Sequence, residues 1–312
     1  MLLSVSRSFV RAYASSSQIM VLPLKATLDF DKMKKVQLLP NVITAFGLTC
    51  GLFVIFKMSM ISPGEVTTRT LTEAAAILIL AAFADLLDGA IARAMKAQSE
   101  FGGLFDSLAD AITFGVCPAV IILKSLSIVP GTQLSFFLTT AAMIYTVCGV
   151  LRLVRFNVTN RTVNPQVELP EKNKNFTGLP IPAAAAAAVS GNLLLVSHEL
   201  TSVMTIQENT RAWFLFFMLI TIGYFMISRW KFPSLKNLHI RLVSFQVVLV
   251  TVIAAVFIIY GMFTHFAVVF FVLSWAYLTI AWILSIVRMI AGKRATSLED
   301  YEPEPEDEEE EI

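Results

Sequence analysis

Charge is scarce in this sequence: Asp, Glu, Lys and Arg make up 15% of its 312 residues, against about 25% in a soluble domain. Apolar residues stand in their place at 56%, with a mean hydropathy of +0.72, and they fall in long blocks rather than amphipathic stripes. One soluble core cannot hide so many blocks in a chain of this length, which excludes a soluble globular class. The net charge of +1 identifies no partner, because the charges are segregated along the chain; no nucleic-acid partner is expected. Cysteine is scarce too. Cys50, Cys117 and Cys148 lie singly in apolar runs without CxxC spacing, which excludes a zinc site or disulfide framework and leaves small packing residues. His198, His239 and His265 are scattered at the edges of apolar blocks and read as surface residues. No secretory signal is evident. Met1–Leu28 has Arg7, Arg11, Lys25, many serines and no acid until Asp29. It reads as a flexible extension (1–27), with an organelle transit peptide, and hence an inner mitochondrial membrane, as the alternative.

What is present are blocks of membrane-spanning length, about 20 apolar residues each. About eight can be read: Val42–Met60, Leu71–Ala94, Phe105–Leu123, Leu134–Phe156, Leu179–Val196, Trp213–Ile227, Val243–Met262 and Ala267–Met289. Before them, 28–40 mixes Phe30, Met33 and Val36 with Asp31, Lys32, Lys34 and Lys35, as in an amphipathic helix lying in the interface. The expected class is an all-α integral membrane protein, with a transmembrane core at 41–228, C-terminal transmembrane helices at 229–292 and a disordered acidic tail at 293–312. Bases gather on alternate connections: Arg93 and Lys96; Arg152, Arg155 and Arg161; Arg229, Lys231, Lys236 and Arg241; Arg288, Lys293 and Arg294. With an even number of spans, that bias predicts both termini on the cytoplasmic side.

The second span ends in Ala84-Asp85-Leu86-Leu87-Asp88-Gly89-Ala90-Ile91-Ala92-Arg93, and Gly102-Gly103-Leu104-Phe105-Asp106-Ser107-Leu108-Ala109-Asp110 opens the third. On helices, acids three and four apart share a face, separated by roughly 4.5–6 Å along the axis. A short connection makes the two helices antiparallel neighbours, so the acidic faces meet near the cytoplasmic interface. Four carboxylates there repel one another and are expensive within a bilayer. Arg93 and Lys96 are too few to compensate, and hard oxygen ligands suit Mg²⁺ or Mn²⁺. Gly89 and Ala92 leave the helix surface bare, either for a ligand or for close helix packing.

The pattern Asp85-x-x-Asp88-Gly89-x-x-Ala92-Arg93, then eight residues, then Gly102-x-x-x-Asp106-x-x-x-Asp110 resembles the signature of the CDP-alcohol phosphotransferase family at every fixed position. Pro40-Asn41-x-x-Thr44 is similar to a second, weaker family feature. The resemblance implies a six-helix core with two extra C-terminal helices, a homodimer, and a site with two metal ions. Asp85, Asp88 and Asp106 would be metal ligands. Asp110 would be the catalytic general base, close enough to touch a metal as well. Asn41, Thr44, Asp85, Gly89, Ala92, Arg93 and Gly102 would bind the CDP moiety. Two metals about 3.5–4 Å apart can clamp the attacking and leaving oxygens of an in-line displacement.

Members of the family differ mainly in the acceptor. Leu151-Arg152-Leu153-Val154-Arg155-Phe156-Asn157-Val158, Phe176-x-Gly178-Leu179-Pro180-Ile181-Pro182 and Thr113-Phe114-Gly115-x-Cys117-Pro118 resemble the phosphatidylserine synthase branch of the Bacillus type, with Cys117 where a small residue such as Ala is expected. That branch implies CDP-diacylglycerol and L-serine as substrates, among membrane lipids. Arg152, Arg155 and Asn157 are candidate ligands for the acceptor or a phosphate, since guanidinium forks suit carboxylate and phosphate alike. The alternative for the arginines is a positive-inside anchor. Rival readings are the same chemistry on glycerol 3-phosphate or inositol phosphate, an archaeal ether lipid donor, and a cation transporter. The last predicts acids spread through the membrane depth rather than confined to one end of two helices.

Overall fold

The computed structural model describes residues 35–62, 65–95, 99–129, 131–162, 176–228, 231–232 and 256–299. The N-terminal extension, most of the predicted interfacial helix, the first part of the seventh predicted span and the tail beyond residue 299 lie outside the described residues. Nine helices are described: α1 Lys35–Met60, α2 Thr68–Ala94, α3 Glu100–Ser125, α4 Gln133–Thr162, α5 Ile181–Val196, α6 His198–Thr201, α7 Glu208–Ile227, α8 256–264 and α9 Phe266–Glu299. Two-residue strands β1 (Phe176–Thr177) and β2 (Lys231–Phe232) pair antiparallel, Phe176 opposite Phe232. Six of the helices are long and apolar enough to cross a membrane, and α5 is a shorter apolar helix of the same kind. The chain is thus an all-α, multi-pass membrane protein.

Two boundaries differ from those read in the sequence. The interfacial helix was expected to end at residue 40, yet α1 runs unbroken from Lys35 through Pro40. A proline this close to a helix start removes a single backbone bond. Helix α9 continues to Glu299, past the expected start of the tail at 293. Lys293, Arg294 and Ala295 are good helix formers, and the first proline comes only at Pro303.

Small residues decide how the helices pack. Gly47 and Gly51 lie on one face of α1, the small-xxx-small spacing that lets membrane helices approach closely. A Cβ on Gly47 would sit 3.6 Å from Ala81 O of α2, and one on Gly51 would sit 2.6 Å from Thr113 Oγ1 of α3. The site-bearing helices α2 and α3 are therefore drawn against α1. Helix α5 opens, as its sequence suggests, with Pro182 in the first turn. Its Ala184, Ala185, Ala187 and Ala188 are buried, and these small side chains let α2, α3, α7 and α9 pack around it.

At the end away from the acids, buried Arg211 of α7 donates to Ser125 O and Ser125 Oγ, both at 2.9 Å, and to Asn192 Oδ1 at 3.2 Å. This guanidinium ties the end of α3 to α5 and α7. Lys57 lies in the last turn of α1. It pairs there with Glu73 at 2.6 Å, which also receives Arg69 at 3.0 Å.

Candidate active site

Helices α2 and α3 bring their acids together as the spacing predicts. One carboxylate oxygen each from Asp85, Asp88 and Asp106 lies within 4.8 Å of the others, and Asp85 is within hydrogen-bonding reach of both Asp106 and Asp110. The acids line a cleft together with Thr44 and Gly47 of α1, Ala81 of α2, and Thr113 and Phe114 of α3. None of the four forms an ion pair with another described residue, although the chain uses its bases in ion pairs elsewhere. Arg152 of α4 brings its charge to bear on Asp110. Converging carboxylates without a paired base, offering only hard oxygen donors, fit a divalent cation. Asp85, Asp88 and Asp106 can hold one.

Each wall of the cleft has a local cause. Thr44, one turn after Pro40 on α1, places its hydroxyl between Pro40 O, at 3.1 Å, and the Asp88 carboxylate. Ser99 caps α3, its Oγ accepting from Gly102 N at 3.0 Å. Asn41 Oδ1 lies beside Gly102, where a Cβ would come within 3.0 Å of it. The Asn41 Nδ2 donor is buried without a partner among the described residues, so it is open to a ligand.

Directly after Asp110, α3 widens into a π-helical turn at Ala111–Val116. Such turns recur at functional sites. Pro118 has no N–H to give back to the preceding turn, and α4 supplies the missing donors. Tyr145 donates its hydroxyl to Phe114 O at 2.9 Å and Thr146 donates to Gly115 O at 3.1 Å. The turn swings Thr113 onto the cleft, where its buried hydroxyl has no partner among the described residues. Sequence reading had not singled out Thr113 as a site residue. The available signal was its position three residues after Asp110, on the same helical face.

The other candidates separate into two groups. Gly89, Ala92 and Arg93 follow Asp88 along α2 beyond the cleft lining, and the exposed Arg93 folds back to within 3.5 Å of where a Gly89 Cβ would sit. Arg152 is half-buried on α4, with its Nε buried and without a partner among the described residues. Arg155 instead turns to α7, where its Nη1 donates to Ile227 O at 2.9 Å. It also lies beside Gly178, whose φ of +86° bends the chain into α5. Asn157 Nδ2 donates to Ser107 Oγ at 3.0 Å, which ties α4 to α3 one residue beyond Asp106.

Comparison with known proteins gives a consistent set of relatives. Residues 37–222 match the family model described as CDP-alcohol phosphatidyltransferase. A CDP-diacylglycerol–serine O-phosphatidyltransferase of Helicobacter pylori is 30% identical over 213 residues, 68% of this chain and 79% of that protein. The Bacillus subtilis protein of the same name is 29% identical over 199 residues, 64% of this chain and 92% of its own length. An archaetidylserine synthase of Methanothermobacter thermautotrophicus is 32% identical over 171 residues, 54% of this chain and 61% of its own.

Proposed function

Because the chain belongs to the CDP-alcohol phosphatidyltransferase family, we propose that it transfers a phosphatidyl group from CDP-diacylglycerol to L-serine, giving phosphatidylserine and CMP. The observation that carries the chemistry is the convergence of Asp85, Asp88, Asp106 and Asp110 on one cleft without a paired base among the described residues. Serine as acceptor is supported by the relatives named for serine transfer.

In this reading Asp85, Asp88 and Asp106, with Asp110 at their edge, hold two divalent ions, Mg²⁺ or Mn²⁺. When bound, the ions supply positive charge for the pyrophosphate and for the oxygens that gain charge during displacement. Asp110 takes the proton from the serine hydroxyl. The serine oxygen forms a bond to the lipid-side phosphorus, the bridging P–O bond breaks, and its electron pair leaves with CMP. The proton passes from Asp110 to water. Thr44 orients Asp88 for this work. Asn41 donates to the CDP moiety, and Gly89, Ala92, Arg93 and Gly102 leave its path open beside α2 and α3. Arg152 receives the serine carboxylate in a charge-assisted pair, while Arg155 and Asn157 fix α4 against α7 and α3.

The basic connections support a cytoplasmic site and cytoplasmic termini, and the family resemblance supports a homodimer. A cation path is the weaker reading: at the other end of α2, Glu73 is already paired with Lys57 and Arg69.

The test is an acceptor panel. The purified full chain is given CDP-diacylglycerol, Mn²⁺ and, in turn, serine, glycerol 3-phosphate or inositol phosphate, and the lipid product is identified. Serine lipid formed in step with CMP is the expected result. Product with another acceptor and none with serine refutes the acceptor assignment.

A further inference from the structure

We infer that Thr113 is a further catalytic residue, whose hydroxyl donates to the oxygen of the acceptor alcohol while Asp110 takes that oxygen's proton. This contact rests on the proposed transfer reaction and lies at the acceptor end of the same cleft.

The buried hydroxyls of the described residues follow one pattern, and Thr113 departs from it. Thr44, Ser125, Ser190 and Ser197 are buried, and each donates to a carbonyl three or four residues earlier in the chain. Such back-bonding satisfies a helical hydroxyl in an apolar setting. Thr113 is 2% exposed, and its Oγ1 has no partner among the described residues. The cause is the π turn at Ala111–Val116, whose i→i+5 bonding takes the hydroxyl out of register with the carbonyl four residues back. Nor does the turn call on Thr113 to close itself, since Tyr145 and Thr146 of α4 already donate to Phe114 O and Gly115 O. Across from it α1 presents Gly51, where an added Cβ would lie 2.6 Å from Thr113 Oγ1, so α1 offers no hydrogen-bonding side chain at that point.

A buried hydroxyl left unpaired costs stability, and this one lines the cleft that holds the acids. Its place along the cleft identifies the ligand. Leu48 follows Thr44 on α1, Ala81 precedes Asp85 on α2, and Thr113 and Phe114 follow Asp110 on α3. These residues therefore form the end of the cleft away from the α2–α3 connection, and Thr113 is the polar side chain among them. Asn41 and Gly102, proposed for the CDP moiety, lie together at the opposite end. In-line displacement puts the attacking oxygen on the side of phosphorus opposite the leaving CMP, which is the end of Asp110 and Thr113. There one alcohol oxygen gives its proton to Asp110 and accepts a hydrogen bond from Thr113. That bond orients the oxygen and stabilises negative charge on it during attack. Thr113 itself neither gains nor loses a proton.

The experiment compares the full chain with Thr113→Val, which keeps the branched shape against Gly51, and Thr113→Ser, which keeps the hydroxyl. The expected fall in kcat/KM for serine in Thr113→Val is about 10–100-fold, the worth of one hydrogen bond to a charged group, while Thr113→Ser retains most of the activity. The KM for CDP-diacylglycerol and the Mn²⁺ concentration for half-maximal CMP release stay at their wild-type values in both. Without substrates, Thr113→Val should unfold at a temperature equal to or above wild type, because valine removes a hydroxyl buried without a partner. A Thr113→Val chain with the wild-type kcat/KM overturns the inference. So does one that unfolds below wild type, which gives the hydroxyl a structural bond, or one whose activity returns at high Mn²⁺, which places it among the metal ligands. If wild type makes no serine lipid but uses another acceptor of the panel, the serine assignment alone fails, and an equal loss with that acceptor in Thr113→Val sustains the inference. A wild-type chain that releases no CMP with any acceptor overturns the transfer reading and the inference together.

Discussion

Thr44 has one hydroxyl proton and two acceptors within reach, Pro40 O and the Asp88 carboxylate. Given to Asp88, that proton fixes the orientation of a proposed metal ligand. Partners of this kind typically contribute 10–100-fold to metal affinity or activity. Thr44→Val should therefore raise the Mn²⁺ concentration needed for half-maximal CMP release by about 10–100-fold, with the maximal rate partly recovered at high Mn²⁺. Asp110→Asn removes the proposed base while keeping its shape, and turnover should fall about 10²–10⁴-fold with CDP-lipid binding retained. Turnover like wild type would take Asp110 out of that role. At this scale the acids were legible because helical spacing alone puts Asp85 with Asp88 and Asp106 with Asp110. Arg155 and Asn157 were not distinguishable from Arg152 by pattern. Where Arg155 and Asn157 are held depends on where α7 ends and on Ser107, and neither is local to the motif.

Helix packing sets the depth of the cleft, and two glycines test it in opposite directions. A Cβ on Gly51 would press into Thr113, at 2.6 Å from Oγ1 and 2.9 Å from Cα. Gly51→Ala should cost about 1–3 kcal/mol of stability by overpacking and reduce activity by pushing α1 from α3. Gly103 has nothing within 4 Å of its added Cβ, so Gly103→Ala should be neutral or stabilise the helix by up to about 1 kcal/mol. Thermal unfolding of the detergent-solubilised variants compares the pair. The π turn gives a third test. Tyr145→Phe removes the donor to Phe114 O and leaves a buried carbonyl unsatisfied, at a cost of about 1–3 kcal/mol. Equal unfolding temperatures for Tyr145→Phe and wild type would show that the bond does not hold the turn. Helix periodicity located α3, but the π turn was not legible in the sequence. Pro118 signals that a backbone donor is missing without saying how the helix accommodates the gap. That is also why Thr113 went unnoticed as part of the cleft.

For the whole molecule, scarcity of charge and block hydropathy were enough to establish the class, because a bilayer admits few structures other than closed barrels and helices. The motif around Asp85 and Asp106 was enough to reach the family. What pattern could not supply was the packing of the C-terminal helix α9, which carries no motif yet donates Trp275 Nε1 to Ala187 O of α5. In the proposed function, carboxylates of α2 and α3 hold divalent metal for transfer from a CDP-linked lipid. The most direct measurement is CMP release by the purified chain, with CDP-diacylglycerol and serine, as Mn²⁺ is removed by a chelator and restored, for wild type and for Asp106→Asn. Wild type should lose activity with the metal and regain it on restoration, while Asp106→Asn stays low throughout. A wild-type rate that persists in excess chelator, or an Asp106→Asn variant as active as wild type, would contradict it.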